Sequence, residues 1–362
     1  MKIEMKPFNM YDLSGTWREM GVQYGSDCAK EIEGMIDWWK DVVSCGDKNY
    51  DLEAAIEQCV ANYAGPIKEF SEDVYEFMLG MAEGSGIPFS KILFLNAANE
   101  HMGGLSEIDN DDKPQGCTTL SLDKTRTKDG KVIIAQNIDW HTELETVVLR
   151  FNPENGPRFL GLTFAGNLAQ VGINENGFGL MVNCIVTAKT QPGVPMYALT
   201  QAVLASDTFG GAMFKLSTAK RGMAFNYMFA NADGALLDVE TTCDDVFGVC
   251  KEDGYIVHTN HFLTECMQPY DLGKVFLDTY IRRSSVCDMV AAGGDMHDVS
   301  TVKEILRNQI GGEYYAVCLT PHDDVPFYEN YGSVLSAIAV PTEGVVYATE
   351  YPNKNEYTEY RL

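Results

Sequence analysis

Basic side chains are scarce in this 362-residue chain: 27 lysines and arginines stand against 52 aspartates and glutamates, for a formal charge of −25. An acidic excess of this size repels polyanions, which excludes nucleic acid and anionic membrane surfaces as partners. Long apolar runs are also missing, since no window approaches the length of a membrane-spanning helix. The stretch Met1 to Pro7 lacks the apolar core and small-residue cleavage site of a secretory signal, so a cytoplasmic location is the expectation. Ten cysteines are present but none forms a CxxC pair, which argues against a zinc ribbon or a disulfide scaffold and for reduced thiols. No internal repeat and no low-complexity linker is visible. The remaining composition, 45% hydrophobic and 11% aromatic, suffices for the core of one large domain.

Two patterns that invite a cofactor or metal are set aside. Gly80-x-x-x-Gly84-x-Gly86 follows a helical run without a preceding strand, so it reads as a close-packed helix end and not as a dinucleotide loop. His258 and His261 lie on a strand-like segment, where their spacing puts them on opposite faces, and no further ligands cluster nearby. No metal and no cofactor is expected.

Periodicity divides the chain at residue 117. Before it, apolar residues recur at helical spacing through Trp17, Met20, Tyr24 and Cys28, then through Leu52, Ile56, Cys59 and Tyr63. After a break predicted at Gly65-Pro66, the spacing resumes through Ile67, Phe70, Val74, Phe77 and Met81. Beyond 117 come strand-like runs at 118–122, 132–135, 147–151, 170–173, 178–182, 314–319, 333–340 and 345–349, with helical stretches at 195–206 and 276–291. Asp129-Gly130, Asn176-Gly177, Asp233-Gly234 and Asp253-Gly254 are hairpin-type turn pairs, which favour antiparallel sheets layered with helices.

Cys117 stands at that boundary, between Gly116 and Thr118-Thr119, after the polar stretch Asp109 to Gln115. Were the chain cut before it, a thiol and an α-amine would share one carbon, and the amine, with a pKa of roughly 8, would serve as the thiol's base. Such a site needs oxyanion donors, and Asn260, just past the strand-like Tyr255 to His258, is the first choice. Asn183 and Asp139 also sit at strand ends, where polar groups converge on one sheet edge.

Gly116-Cys117-Thr118, Asn137-Ile138-Asp139-Trp140, Asn174 to Gly179, Asp238-Val239-Glu240 and His258-Thr259-Asn260-His261 occur in an order that resembles the acyl-coenzyme A:6-aminopenicillanic acid acyltransferase family of N-terminal nucleophile (Ntn) hydrolases. Upstream, Glu19-Met20-Gly21-x-x-Tyr24-Gly25, Gly80 to Gly84 and Asn96 to Glu100 are similar to its propeptide signatures. The resemblance implies an α+β fold, a four-layer αββα sandwich with antiparallel sheets. It also implies self-cleavage between Gly116 and Cys117, leaving a mostly helical α chain, residues 1–116, bound to a β chain, residues 117–362, in one compact domain. Cys117 would be the nucleophile, Asp139 would orient its amine, Asn260 would hold the oxyanion, Asn183 would add to the oxyanion or amine network, and Thr119 would assist cleavage. Arg282 and Trp140 are the candidate substrate-binding residues.

Two departures bear on the substrate. Leu319 follows Cys318 where the penicillin acyltransferase carries an arginine, and Gln136 stands where related bile-salt hydrolases carry one. The expected activity is hydrolysis of a small linear acyl amide, such as an N-acyl amino acid, a dipeptide-like compound or a β-lactam-type amide. The alternatives are acyl transfer from an amide or thioester to an amine acceptor, and a silent, unprocessed relative that only binds ligand.

Overall fold

The fold is taken from a computed structural model, which describes residues 7–46, 50–103, 116–251, 253–272, 276–321, 325, 326, 328 and 330–362. The polar stretch Asp109 to Gln115 lies outside the described residues. In chain order the strands are β1 (Asn9–Gly15), β2 (Thr118–Leu122), β3 (Ile133–His141), β4 (Thr146–Pro153), β5 (Phe159–Phe164), β6 (Val171–Asn174) and β7 (Phe178–Cys184). They continue with β8 (Phe225–Asn231), β9 (Leu236–Thr241), β10 (Val246–Val249), β11 (Tyr255–His258), β12 (Tyr331–Val340), β13 (Val345–Thr349) and β14 (Thr358–Arg361).

Two sheets result: an eight-stranded one in the order β1-β4-β5-β6-β7-β8-β9-β10, and a six-stranded one in the order β11-β2-β3-β12-β13-β14. The period-2 alternation of β2 explains how they stack. Leu120 and Leu122 join Ile133, Ala135 and Val257 in a core under Val286, Val290, Val302 and Leu306, which lie on helices Leu277–Gly293 and Val299–Leu306. The opposite face, with Cys117 and Ile134, joins Val182 and Met228 of the other sheet in the larger core. That larger core continues beyond the eight-stranded sheet into Tyr24, Phe77 and Phe94 of the N-terminal helices. The layers are therefore αββα, as the resemblance implies.

The N-terminal helices Trp17–Asp27 and Glu72–Ser85 approach backbone to backbone. A Cβ on Gly80 would lie 2.2 Å from the Arg18 carbonyl oxygen, and one on Gly84 would lie 2.1 Å from that of Val22. The Gly80/Gly84 pattern is thus a helix-packing device, answered on the facing helix by Gly21 and Gly25, where a Cβ would meet the Phe77 and Met81 carbonyls.

Four expectations are corrected. The helix Leu52–Phe70 runs through Pro66 and ends at Ser71 instead. Tyr63 and Ile67, one turn apart, are both buried on its inner face, and their packing outweighs the single hydrogen bond that proline removes. The run at 314–319 is not a strand: Gly312–Tyr315 is a short helix, and the backbone of the rest bonds irregularly, Cys318 N–H to Asn308 and Leu319 N–H to the Ser333 hydroxyl. Asp253-Gly254 closes no hairpin but carries the chain from β10 in one sheet to β11 in the other. Last, the helical first third begins with a strand, β1, paired in parallel with β4 over Asn9↔Val147 to Gly15↔Pro153. Only Leu13 of β1 is fully buried, so its apolar alternation is too faint to read.

Candidate functional site

Strand register brings the sequence candidates together. Thr119 pairs with His258 on β11 and Thr118 pairs with Asn137 on β3. Continuing the antiparallel register by two residues sets Asn260 level with Cys117 on one side, and by one residue sets Ile138 level with it on the other. Asp139 therefore lies just beyond the Cys117 end of β2. Cys117 itself is buried.

Arg282 organises this point. Reaching in from helix Leu277–Gly293, its fully buried guanidinium donates to the Cys117 carbonyl oxygen (2.7 Å), the Thr118 hydroxyl (3.0 Å) and Asn260 Oδ1 (3.0 Å). Its charge is met by Asp278 one helical turn earlier, at 2.8 Å. Such a buried cation persists because a fork of donors finds an acceptor in every direction. The sequence marked Arg282 as a substrate contact; the geometry engages it with protein groups.

Asn260 is pinned from three sides. Besides accepting from Arg282, it donates Nδ2 to the Cys184 carbonyl (2.9 Å) and its backbone N–H to Thr279 Oγ1 (2.8 Å). One hydrogen on Nδ2 is left to point elsewhere. On the facing sheet, Asn183 Oδ1 accepts from Thr119 Oγ1 (2.7 Å) and from Asn226 Nδ2 (3.3 Å), while its own buried Nδ2 has no protein acceptor. The site thus has two asparagine amides with donors to spare.

Asp139 is held differently. One oxygen accepts from Ser333 Oγ (2.5 Å), whose oxygen in turn accepts from the Leu319 N–H (2.9 Å), and the other oxygen, fully buried, has no hydrogen-bond partner among the described residues. Burial raises its pKa to about 7; Arg282 pulls it down, as does the Ser333 bond, and Asp278 pushes it further up. Trp140, next along β3 and half-buried, packs edge-on to His141 (5.3 Å) and Tyr331 (6.2 Å).

A raised carboxyl pKa makes the native state bind more protons than the unfolded chain. Stability from Asp139 is then complete below the unfolded pKa near 4 and declines as pH rises through about 7. We expect Asp139→Asn to melt with the parent at pH 4 and above it at pH 8, measured by thermal denaturation in a Cys117→Ala background. A gap that does not widen with pH would contradict the assignment.

Beneath Asn260 lies an ionic support that the sequence named only as an acidic strand. Glu240, on β9, accepts from His258 Nε2 (2.9 Å), Thr264 N–H (3.0 Å) and Leu263 N–H, so one carboxylate gathers both ends of the 258–264 loop. His258 Nδ1 faces the Thr259 carbonyl at 2.8 Å and must donate to it, which requires the doubly protonated ring. Burial opposes that charge, but Asp238 and Glu240 overcome it and raise the His258 pKa; reciprocally, His258 outweighs burial and lowers Glu240. His261 is separate: buried and neutral, with its pKa lowered to about 3, it bonds Thr279 Oγ1 (2.9 Å) and stacks on Tyr280 (4.0 Å). Among the described residues no group of three His, Cys, Asp or Glu side chains could hold a metal ion, and no helix is long and apolar enough to cross a membrane.

Ser333, Asp278, Thr279 and Asn226 were missed from sequence. Asp278 had a signal, its i,i+4 spacing to Arg282 on a helical stretch. Ser333, in an apolar run 194 residues from Asp139, had none.

The family model described as acyl-coenzyme A:6-aminopenicillanic acid acyl-transferase matches residues 125–321. A curated relative, the acyl-coenzyme A:6-aminopenicillanic-acid-acyltransferase 40 kDa form of Emericella nidulans, is 28% identical over 259 residues, covering 69% of this chain and 68% of its own. Among solved structures, the R18L variant of conjugated bile acid hydrolase from Clostridium perfringens aligns with TM-score 0.50 at 17% identity, over 68% of this chain and 97% of that one. The Caenorhabditis elegans ortholog of N-acylethanolamine-hydrolyzing acid amidase aligns with TM-score 0.45 at 16% identity, over 68% and 100%.

Proposed function

The chain belongs to the acyl-coenzyme A:6-aminopenicillanic acid acyltransferase family, and on that premise we propose that it is a self-processing amidohydrolase whose nucleophile is Cys117. The observation that carries this reading is the convergence of Gly116, Cys117, Asn260 and Arg282, drawn from distant parts of the chain, at the mouth of β2.

Processing begins when Cys117 Sγ attacks the Gly116 carbonyl carbon. The S–C bond forms, the Gly116–Cys117 C–N bond breaks, and the thiol proton passes to the leaving nitrogen, which becomes the α-amine. Water then hydrolyses the thioester, freeing the thiol and a Gly116 carboxylate. In turnover the α-amine takes the thiol proton, Sγ attacks the substrate's acyl carbon, and the proton is delivered to the departing amine. Asn260 Nδ2 and Asn183 Nδ2 are the oxyanion donors, Asp139 holds the ammonium, Thr119 fixes Asn183, and Arg282 keeps Cys117 and Asn260 in register. Trp140 stands at the substrate end of β3.

Residues 1–116 remain attached after cleavage, because β1 is a strand of the eight-stranded sheet and Tyr24, Phe77 and Phe94 belong to its core. Removing them would expose that core to water. The substrate is a small linear acyl amide. A charge of −25 disfavours a polyanionic coenzyme A thioester as donor; water is the acceptor in this reading, and transfer to an amine is the lesser path.

Intact-mass analysis of the purified protein tests the reading. Two fragments of 116 and 246 residues (362 − 116 = 246) are expected; one uncut chain inert to acyl esters would overturn it. For Asn260→Ala we expect normal folding with turnover lower by about 10²–10³-fold, the cost of one oxyanion donor. Undiminished kcat would remove Asn260 from the mechanism.

A further inference from the structure

Gly116 sits against the functional wall of the site. Its φ is +143°, and a Cβ in the L configuration would lie 2.0 Å from Asn260 Oδ1, 2.4 Å from Cγ and 2.8 Å from Nδ2. Contacts this short require something to move. Asn260 is poorly placed to move, since Arg282 holds its Oδ1, the Cys184 carbonyl holds its Nδ2 and Thr279 holds its backbone N–H. Arg282 is itself anchored by Asp278 within a fully buried setting.

In the self-cleavage step the acyl group on Cys117 Sγ is that of Gly116, and its α-carbon is the Gly116 Cα. In turnover the acyl group on the same sulfur is the substrate's. Once residue 116 departs, the incoming α-carbon takes the same place beside the Asn260 carboxamide. We propose that Gly116 is a mould of the acyl subsite, so the enzyme accepts acyl groups whose α-carbon is an unsubstituted methylene and rejects those with an L-configured α-substituent. The substrate class narrows accordingly to amides of acids with a CH2 next to the carbonyl, such as N-acylglycyl groups, while amides of L-amino-acid acyl groups are excluded. This selection rests on Cys117 being the released nucleophile. It requires no further cofactor or co-reactant beyond the water that resolves the thioester.

The p-nitrophenyl esters of N-acetylglycine, N-acetyl-β-alanine and N-acetyl-L-alanine probe it on the processed protein. Rates from the Cys117→Ala chain are subtracted, and each is divided by the same ester's rate with free cysteine to remove intrinsic reactivity. The glycyl and β-alanyl esters are expected to agree within about tenfold in kcat/KM, with the L-alanyl ester lower by more than about 30-fold. A smaller L-alanyl deficit overturns the proposal and leaves the nucleophile untouched. If no ester shows Cys117-dependent release, the nucleophile itself is wrong and the mould falls with it. In Asn260→Ala, where the wall is cut back, the glycyl-to-L-alanyl ratio should fall below about fivefold although both rates drop. A ratio unchanged from the parent would show that Asn260 is not the wall and would overturn the proposal.

Discussion

Cys117→Ala is expected to run as a single 362-residue chain where the parent yields two fragments, and to lose Cys117-dependent turnover altogether, by about 10⁴-fold or more against any substrate found. Both losses follow from one atom. In the proposed mechanism the sulfur starts processing by attacking the Gly116 carbonyl and is the acyl carrier afterwards, so deleting it removes the self-cleavage product and the acyl-enzyme together. Folding should survive, because Cys117 fills a small part of a large core and its anchor is the backbone carbonyl that Arg282 binds. Cys117→Ser separates the two roles: a hydroxyl has the geometry without the acidity, so slow processing with much weaker turnover is expected. Intact mass over days and acyl-ester hydrolysis read the two. Full-rate processing in Cys117→Ala would place the cut elsewhere and dismantle the mechanism.

The second large effect concerns Arg282. Replacing it with methionine leaves Asp278 as a buried carboxylate without its cation, and strips a donor from Cys117 O, Thr118 Oγ1 and Asn260 Oδ1. Breaking one side of a buried ion pair costs about 3–5 kcal/mol, which calorimetry or denaturant titration would detect as a clear loss of stability. Removing the partner as well, in Arg282→Met/Asp278→Leu, relieves the stranded charge and should recover most of that loss. Turnover should not recover with it, since Asn260 Oδ1 and the Cys117 carbonyl still lack the donor that fixes them; kcat is expected to stay down by about 10²-fold with KM changed far less. A double variant that regains both stability and kcat would reduce Arg282 to a structural residue.

The division between local and tertiary information can be traced residue by residue. Hydrophobic period marked the change from helix to sheet at residue 117, and the strands at 118–122, 333–340 and 345–349 correspond to β2, β12 and β13 because β-branched and alternating residues decide such segments locally. The αββα layering was implied by the family resemblance that the motifs carry, and the two-sheet topology agrees. Cys117 and Asn260 stood out as candidates because they lie just outside strand ends beside turn or motif residues, whereas Thr119 entered only through the family resemblance.

Where local signals compete with packing, the sequence misleads. Pro66 is a helix breaker by itself, yet the buried face that contains Tyr63 and Ile67 keeps the helix intact. Residues 314–319 are apolar enough for a strand, but their backbone bonds to Asn308 and Ser333 instead.

By itself, then, the sequence determined most of the elements, since those depend on short-range period, and it singled out Cys117 by the chemistry a single residue can carry, while the layer order came with the family resemblance. Tertiary structure alone decided what surrounds Cys117. Only folding brings Arg282 to the Cys117 carbonyl across 165 positions, sets Asp139 against Ser333 across 194 and lays Gly116 flat on Asn260. Those contacts arise from strand register and helix docking, which no window of sequence contains, and they create the burial that raises Asp139 and leaves room for nothing larger than a hydrogen beside Asn260.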